Sequence, residues 1–229
     1  MDDFASQVAG VGALAEPARR ALYLYVVAQP EPVSRDQAAA GVELPRHTAK
    51  FHLDKLVADG LLDTEFRRLS GRRGPGAGRP TKLYRRSDRQ VAVTLPQRHY
   101  ELAGRILAHA VEDASRDDVP VREAVRRSAG AAGRRLAAAV EPPAGGASPL
   151  ADLAAALAPH GYEPRVVDGS VVLANCPFHA LAREHTELVC GMNLHLLSAV
   201  ADELGYHDVH ATLQPSADRC CVRLVAESA

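Results

Sequence analysis

The residues of this sequence that can do the most chemistry are its four cysteines, Cys176, Cys190, Cys220 and Cys221. Cys176 opens the sequence CPFH, so His179 follows it three positions later. Thiolates and an imidazole are ligands that suit zinc or an iron–sulfur cluster. A single cysteine is more often a small, buried and inert apolar residue. Four in one region of the chain favour a metal or cluster site.

The last two cysteines differ in the direction that we expect their side chains to take. They open a predicted strand, and adjacent residues of a strand point to opposite faces. Cys220 shares its face with Val222 and Leu224, whereas Cys221 shares its face with Arg223. We therefore expect Cys220 to point into the core. The predicted ligands are Cys176, His179, Cys190 and Cys220, with His185 and Cys221 left as alternatives for the fourth position.

A small module of helices and strands must position these side chains. Residues 149–160 predict a helix, and a hairpin over 162–175 turns at Asp168-Gly169, a favourable tight-turn dipeptide. Helical sequence follows over 178–204, with a break expected near His185. Strands over 209–213 and 219–226 complete the module.

The N-terminal part of the chain predicts a winged helix-turn-helix, a fold that binds duplex DNA. Helices are expected over 11–29, 35–40 and 45–60, followed by strands over 61–69 and 81–86. The Gly- and Pro-rich hairpin between those strands carries arginines that suit contacts to phosphate or the minor groove. The predicted DNA-binding residues are Arg46, His47, Thr48, Lys50 and His52 on the third helix, and Arg72, Arg73 and Arg79 on the hairpin.

Composition and charge restrict the class of protein. Hydrophobic residues make up 47% and charged residues 24%, so a wholly disordered chain is excluded. The net charge of −1 hides an asymmetry, because residues 67–89 hold nine Arg or Lys against one acid, Asp88. No apolar run is long enough for a membrane span, and the first residues do not form a signal peptide. We expect a soluble cytoplasmic protein with no membrane partner.

The central part of the chain predicts two long helices, over 96–115 and 121–140, and then a linker over 142–149. The first of these helices is expected either to pair with its copy in a second subunit or to pack on the last domain. The predicted fold class is α+β, with a DNA-binding domain at 1–95, dimerisation helices at 96–141 and a sensor domain at 142–229.

Four segments carry a resemblance to a known family. LPRHTAKFHLDKLVADGLL and GRPTKLYRR in the winged helix, and CPFHALAREHTELVC and RCCVRLV in the last domain, resemble ArsR-like regulators of the SUF-operon repressor (SufR) group. The resemblance implies a homodimer that binds a palindromic operator under the control of an iron–sulfur cluster, of the 4Fe–4S or 2Fe–2S type. Cys176, Cys190 and Cys220 match the cysteine positions of the family, and His179 stands where its members can supply a further cysteine.

The sequence thus predicts a redox-sensing transcriptional regulator, with repression favoured over activation. One alternative keeps DNA binding but replaces the cluster with zinc or a small-molecule effector. A metalloenzyme with an accessory DNA-binding domain is the third hypothesis, but the chain contains no Ser-His-Asp order, phosphate-binding loop, dinucleotide fingerprint or HExxH sequence. We therefore expect no enzymatic activity.

Overall fold

The computed structural model describes residues 3–68, 80–140, 148–216 and 218–227. The chain divides into two compact units, Met1–Val93 and Thr94–Ala229. Each unit combines helices with a small antiparallel sheet. The mixed helix and strand composition predicted from the sequence is therefore confirmed.

The N-terminal unit is a set of short helices followed by two long strands. Its sheet has the order β1-β3-β2. The elements are α1 (Asp3–Ala13), α2 (Pro17–Ala28), β1 (Val33–Ser34), α3 (Arg35–Gly41), α4 (Arg46–Ala58), β2 (Leu62–Arg67) and β3 (Thr81–Arg86).

The helix predicted over 11–29 is wrong, because two helices, α1 and α2, occupy this region. The carboxylate of Glu16 accepts hydrogen bonds from the backbone N–H groups of Ala18 and Arg19 at 3.1 and 2.6 Å. These bonds satisfy donors that have no partner within the first turn of a helix, so a new helix begins after Glu16. The start of α3 matches the prediction, since Ser34 and Gln37 form a capping box there.

The C-terminal unit packs helices on one four-stranded sheet of order β4-β5-β7-β6. The hairpin turn at Asp168-Gly169 and the helix break at His185 both agree with the sequence analysis. The elements are α5 (Tyr100–Asp117), α6 (Val121–Ala138), α7 (Pro149–Leu157), β4 (Pro164–Val167), β5 (Ser170–Leu173), α8 (His179–Glu184), α9 (Thr186–Glu203), β6 (Val209–Leu213) and β7 (Val222–Ala226).

The two long central helices pack within this second unit. Helix α6 presents small residues, Ala129, Ala132 and Gly133, to the core. A Cβ atom on Gly133 would lie only 2.2 Å from the carbonyl oxygen of Leu196 in α9. The absence of a side chain at position 133 therefore allows α6 and α9 to approach closely. Helix α9, which also carries Cys190, is thus held against α6. The predicted linker over 142–149 lies mostly outside the described residues.

No helix in the described ranges is long and apolar enough to cross a membrane.

Candidate functional site

The four cysteines lie together in the C-terminal unit and are called here the thiol cluster (Cys176, Cys190, Cys220 and Cys221). Cys176 stands between β5 and α8, Cys190 lies in the first turns of α9, and the other two precede β7. The backbone N–H of Cys220 donates to the carbonyl of Leu173 at 3.0 Å. The antiparallel pairing of the central strands β5 and β7 thus brings Cys176, which follows β5, and Cys220, which precedes β7, to the same end of the sheet.

The thiols contact one another in two pairs. Cys220 donates a hydrogen bond to the Cys176 sulfur, and Cys190 donates one to the Cys221 sulfur. Cys220 is buried and Cys221 is half-buried, and both residues directly precede β7. The choice of the fourth ligand among His179, His185 and Cys221 stays a prediction.

The hydrogen bonds between thiols shift the pKa values of the cysteines in opposite directions. The pKa of Cys176 is lowered to about 7 by the hydrogen bond from Cys220, against the effect of burial, with further help from the Phe178 N–H and the charge of Arg98. The pKa of Cys190 is raised to about 12 by burial and by its bond to Cys221. The hydrogen bond to Cys176 and burial also raise the pKa of Cys220. Cys176 is thus the thiol of lowest pKa among those with a resolved shift, and the thiolate is the form that binds metals.

Two buried hydrogen bonds connect Cys220 to Asn193 and Tyr162. The Tyr162 hydroxyl donates to Asn193 Oδ1 at 2.6 Å, and Asn193 Nδ2 donates to the Cys220 sulfur at 3.3 Å. Burial raises the pKa of Tyr162 well above its ordinary value, with a smaller effect from the charges of Cys220 and Cys176. Sequence reasoning missed Asn193, although an amide one turn after Cys190 on a buried helix face was a usable signal.

The segment Thr94–His99, which directly follows Val93 at the end of the N-terminal unit, is called here the connector. Arg98 Nη1 donates to the Cys176 carbonyl at 2.8 Å and also to Asn175 Oδ1. In return, Asn175 Nδ2 donates to the Gln97 carbonyl at 3.0 Å, and the His99 N–H donates to the Pro177 carbonyl at 3.0 Å. The loop that carries Cys176 is therefore hydrogen-bonded to the connector, a relationship that nothing in the sequence indicated.

A cavity of about 710 Å³ lies beside the thiol cluster. His179 lines it, but the His179 side chain is exposed, and His185 is exposed outside the lining. Within the described ranges, no group of three or more His, Cys, Asp or Glu side chains has the arrangement of a metal site. The lining residues are Cys176, His179, Ala182, Arg183, Thr186, Pro215, Ser216, Arg219, Cys220 and Cys221.

A second candidate site lies on α4 in the N-terminal unit. Arg46, His47 and Lys50 are exposed, Thr48 is half-buried, and the exposed fraction of Phe51 is 65%. These residues form one face at and after the start of the helix, where a recognition helix approaches base edges.

His52 does not belong to that exposed face. Its side chain is only 12% exposed, and its Nδ1 lies 3.6 Å from a carboxylate oxygen of Glu16 at the start of α2. His52 therefore contacts the start of α2, and its predicted contact with DNA stays a prediction. Residues two positions apart on a helix are rotated by about 200°, so residue 52 faces nearly away from the exposed side that carries residue 50, towards α2.

Carboxylates of the same unit pair with the cations around α4. Asp36 of α3 holds Arg46 through two hydrogen bonds. Asp54 accepts from Lys82 at 2.7 Å and from the Tyr84 hydroxyl at 3.2 Å, and Lys50 lies 3.7 Å away. Burial opposes ionisation of Asp54, but Lys82, Tyr84 and Lys50 together lower its pKa. Burial, and then Asp54, raise the pKa of Tyr84 to about 12.

The strands after α4 form the base of the predicted hairpin. Arg85 of β3 lies 3.0 Å from Asp63 of β2 across the ladder. The predicted hairpin residues Arg72, Arg73 and Arg79 lie outside the described residues. The position of β2 and β3 directly after α4 is the order in which a winged helix-turn-helix arranges its elements.

A comparison with known families decides the nature of the N-terminal unit. Residues 14–65 match a family described as a helix-turn-helix domain. The chain carries a helix-turn-helix domain. The matched range contains α2, α3 and α4, so the exposed face of α4 belongs to this domain, and the match supports a DNA-binding transcriptional regulator.

Other comparisons contribute little. No curated protein matches the sequence. The crystal structure of human N-acetylserotonin methyltransferase in complex with SAM is 22% identical, over 58% of this chain and 40% of the methyltransferase chain. The TM-score is 0.25, so this similarity carries no conclusion about fold or function.

Proposed function

We propose that the chain is a cytoplasmic winged-helix transcriptional regulator, a repressor, that binds palindromic duplex DNA as a homodimer. A metal group held by the thiol cluster, an iron–sulfur cluster or zinc, controls its affinity for DNA. In this function the chain catalyses no reaction. In this proposal the N-terminal unit binds DNA, and the second unit combines the sensor with the central helices α5 and α6, which pair two subunits.

The observation that carries the proposal is that the four thiols form two hydrogen-bonded pairs in one unit, with Cys176, Cys220 and Cys221 lining the same cavity. Sulfur donors are the ligands that zinc and iron–sulfur clusters prefer, and a Cys176 pKa of about 7 leaves a thiolate at neutral pH. Metal binding displaces the protons of thiols, so the hydrogen bonds between the thiols would be replaced by bonds from sulfur to the metal. The chemistry of these four sulfur donors therefore supports a thiolate-bound group, whose binding would require the side chains to rearrange.

The ligands that we propose are Cys176, Cys190, Cys220 and Cys221. Cys221 replaces His179 as the preferred fourth donor, because its sulfur contacts Cys190 whereas the His179 side chain is exposed. When bound, an iron–sulfur cluster would supply a group whose charge and integrity respond to oxidants. Asn193 would donate its N–H to the Cys220 sulfur, an interaction that orients a sulfur ligand and tunes its electron density.

The DNA side of the proposal rests on α4 and the hairpin that follows it. Arg46 and Lys50, which are exposed on α4, would reach base edges, while the arginines of the hairpin would contact phosphates or the minor groove. Phosphate contacts supply affinity for any duplex, and base contacts supply the preference for an operator.

Anaerobic purification tests the proposal directly. We expect visible absorption together with bound iron and sulfide, or else bound zinc, and loss of the group in Cys176→Ser, Cys190→Ser, Cys220→Ser and Cys221→Ser variants. His179→Gln and His185→Gln are the controls, and both should keep the metal. Metal-loaded and metal-free protein should differ in affinity for a duplex selected from a random library by roughly 5–150-fold, the range of ordinary allosteric coupling. Equal affinity, or purified protein with no metal under any of these conditions, would contradict the sensing half of the proposal.

A further inference from the structure

The contact between Asp36 and Arg46 joins two helices of the helix-turn-helix domain. Asp36 lies in the first turn of α3, and Arg46 is the first residue of α4. Arg46 Nε donates to Asp36 Oδ1 at 2.7 Å, and Arg46 Nη2 donates to Asp36 Oδ2 at 2.5 Å. Two parallel bonds fix the plane of a guanidinium group as well as its position.

Only one edge of the Arg46 guanidinium is used by this pair. A guanidinium carries five N–H donors, and the carboxylate takes one from Nε and one from Nη2. In the described part of the chain, no hydrogen bond is made by Nη1 of Arg46, and the side chain remains 66% exposed. The edge formed by Nη1 and Nη2 is therefore free, and a fork of this kind matches the O6 and N7 acceptors of guanine.

The pair acts on orientation more than on folding. Ion pairs between exposed side chains contribute little to the stability of a protein. Holding a long side chain in its binding conformation, however, removes an entropic cost that a free arginine meets when it binds. Lys50, on the same exposed face, forms one ion pair among the described residues, with Asp54 at 3.7 Å, so its ammonium group is held less firmly.

Asp36 also carries a negative charge beside the surface that would face DNA. A carboxylate at that place repels phosphate groups and thereby disfavours binding in which Arg46 contacts only the backbone. The preferred outcome is binding in which Arg46 reaches past the backbone to a base. Orientation and repulsion therefore act in the same direction.

We propose that Asp36 is a positioning residue that determines sequence specificity. It holds Arg46 so that the free edge of the guanidinium reads one guanine of the target site. This inference rests on the DNA-binding half of the proposed function and goes beyond it, because it assigns a base and a second residue to the recognition.

The test begins with selection of duplexes from a random library by the full-length wild-type protein. Affinities for the selected duplex and for a scrambled duplex are then measured for wild type, Asp36→Asn, Arg46→Ala and the double variant. The ratio of the two affinities should fall roughly tenfold for Arg46→Ala and in the same direction for Asp36→Asn. In the Arg46→Ala background, Asp36→Asn should have little further effect on the ratio, because the two residues act as a unit.

A chemical probe identifies the base. Each guanine of the selected duplex is replaced in turn by 7-deazaguanine, which lacks the N7 acceptor. One position should weaken binding of the wild type strongly and binding of Asp36→Asn much less. Asp63→Asn, which makes the same change of charge at the Arg85 pair, should retain the full ratio and the full response.

The outcomes separate the two proposals. A wild-type protein that enriches no sequence contradicts the DNA-binding half of the proposed function. If the wild type enriches a sequence but Asp36→Asn keeps the same ratio of selected to scrambled affinity, the role of Asp36 is overturned while DNA binding stands. An equal fall of that ratio in Asp63→Asn has the same meaning. Thermal unfolding of Asp36→Asn should match the wild type, and a large fall in its midpoint would assign Asp36 to folding instead.

Discussion

Arg98 Nη1 donates a hydrogen bond of 2.8 Å to the carbonyl oxygen of Cys176. Arg98 belongs to the connector, and Cys176 belongs to the thiol cluster, so one hydrogen bond joins the segment that leaves the helix-turn-helix unit to the proposed sensor. A displacement of the backbone at Cys176 would alter this hydrogen bond and the neighbouring hydrogen bonds of Asn175 to the connector.

The first prediction concerns Arg98. Arg98→Gln removes the charged donor at the Cys176 carbonyl, so the amides of the connector should exchange with deuterium faster. Metal content should stay the same, while the ratio of DNA affinities between metal-loaded and metal-free protein should fall towards one. Arg105→Gln, an exposed arginine of α5 paired with Glu101, is the control. A normal affinity ratio in Arg98→Gln would show that regulation does not pass through this contact.

The second prediction concerns the reactivity of the thiols in reduced, metal-free protein. Cys176 should react with iodoacetamide faster than Cys190 near neutral pH, because its pKa is about 7 and that of Cys190 is about 12. Trypsin separates these two residues, since Arg183 lies between them, and mass spectrometry measures each rate. Cys220→Ala should move the pH midpoint of the Cys176 reaction upwards, whereas Cys220→Ser keeps a hydrogen-bond donor and should move it less. Equal shifts in the two variants would argue against the hydrogen bond as the cause.

The third prediction concerns pH and stability. Burial lowers the pKa of His99, whose Nε2 has no hydrogen-bond partner among the described residues, and burial with the charge of His99 lowers that of His160. The unfolded chain therefore binds more protons than the folded chain as the pH falls below the ordinary histidine value of about 6.5, and stability should decrease with it. His99→Gln should flatten the decrease in unfolding free energy between about pH 7.5 and 5.5, measured by urea denaturation. His207→Gln, at an exposed histidine, should leave the profile unchanged.

The fourth prediction concerns the close approach of α6 and α9. Gly133→Ala should destabilise the protein by about 1–3 kcal/mol, because the new methyl group meets the Leu196 carbonyl and the Ala199 side chain. Gly130→Ala on the same helix is the matched control. Its new methyl group lies no nearer than 3.7 Å to the Arg134 side chain, so improved helix propensity should stabilise the protein by about 0.4–1 kcal/mol. Thermal and urea unfolding measure both changes, and two changes of the same sign would contradict the packing argument.

The fifth prediction concerns the hairpin arginines that lie outside the described residues. Replacing Arg72, Arg73 and Arg79 with Ala should weaken binding to selected and scrambled duplexes alike. The slope of log affinity against log salt should fall by about 0.9 for each phosphate contact that is lost. The control removes three exposed arginines of α6, Arg122, Arg126 and Arg127. If the slope does not change, the hairpin does not contact the DNA backbone.

The sequence by itself determined the local elements and their order. Ser34 with Gln37 fixes the start of α3, and Asp168-Gly169 fixes the turn between β4 and β5, because caps and tight turns depend on residues a few positions apart. The spacing of apolar residues around α4 indicated the helix-turn-helix domain that the family comparison supports. The single helix predicted over 11–29 failed because a cap by Glu16 competes with a continuous apolar pattern.

Only the tertiary structure decided which distant side chains meet. The thiol of Cys190 is hydrogen-bonded to Cys221, Arg98 to the Cys176 loop, and Asp36 to Arg46. His52 is half-buried and lies near Glu16 at the start of α2. Such pairs depend on how helices and sheet pack, and packing is set by the sum of many weak apolar contacts across the chain rather than by any local pattern. The residue types predicted a thiol site and a DNA-binding helix, whereas the hydrogen-bond partners of the cysteines and of Arg46 depend on the tertiary packing.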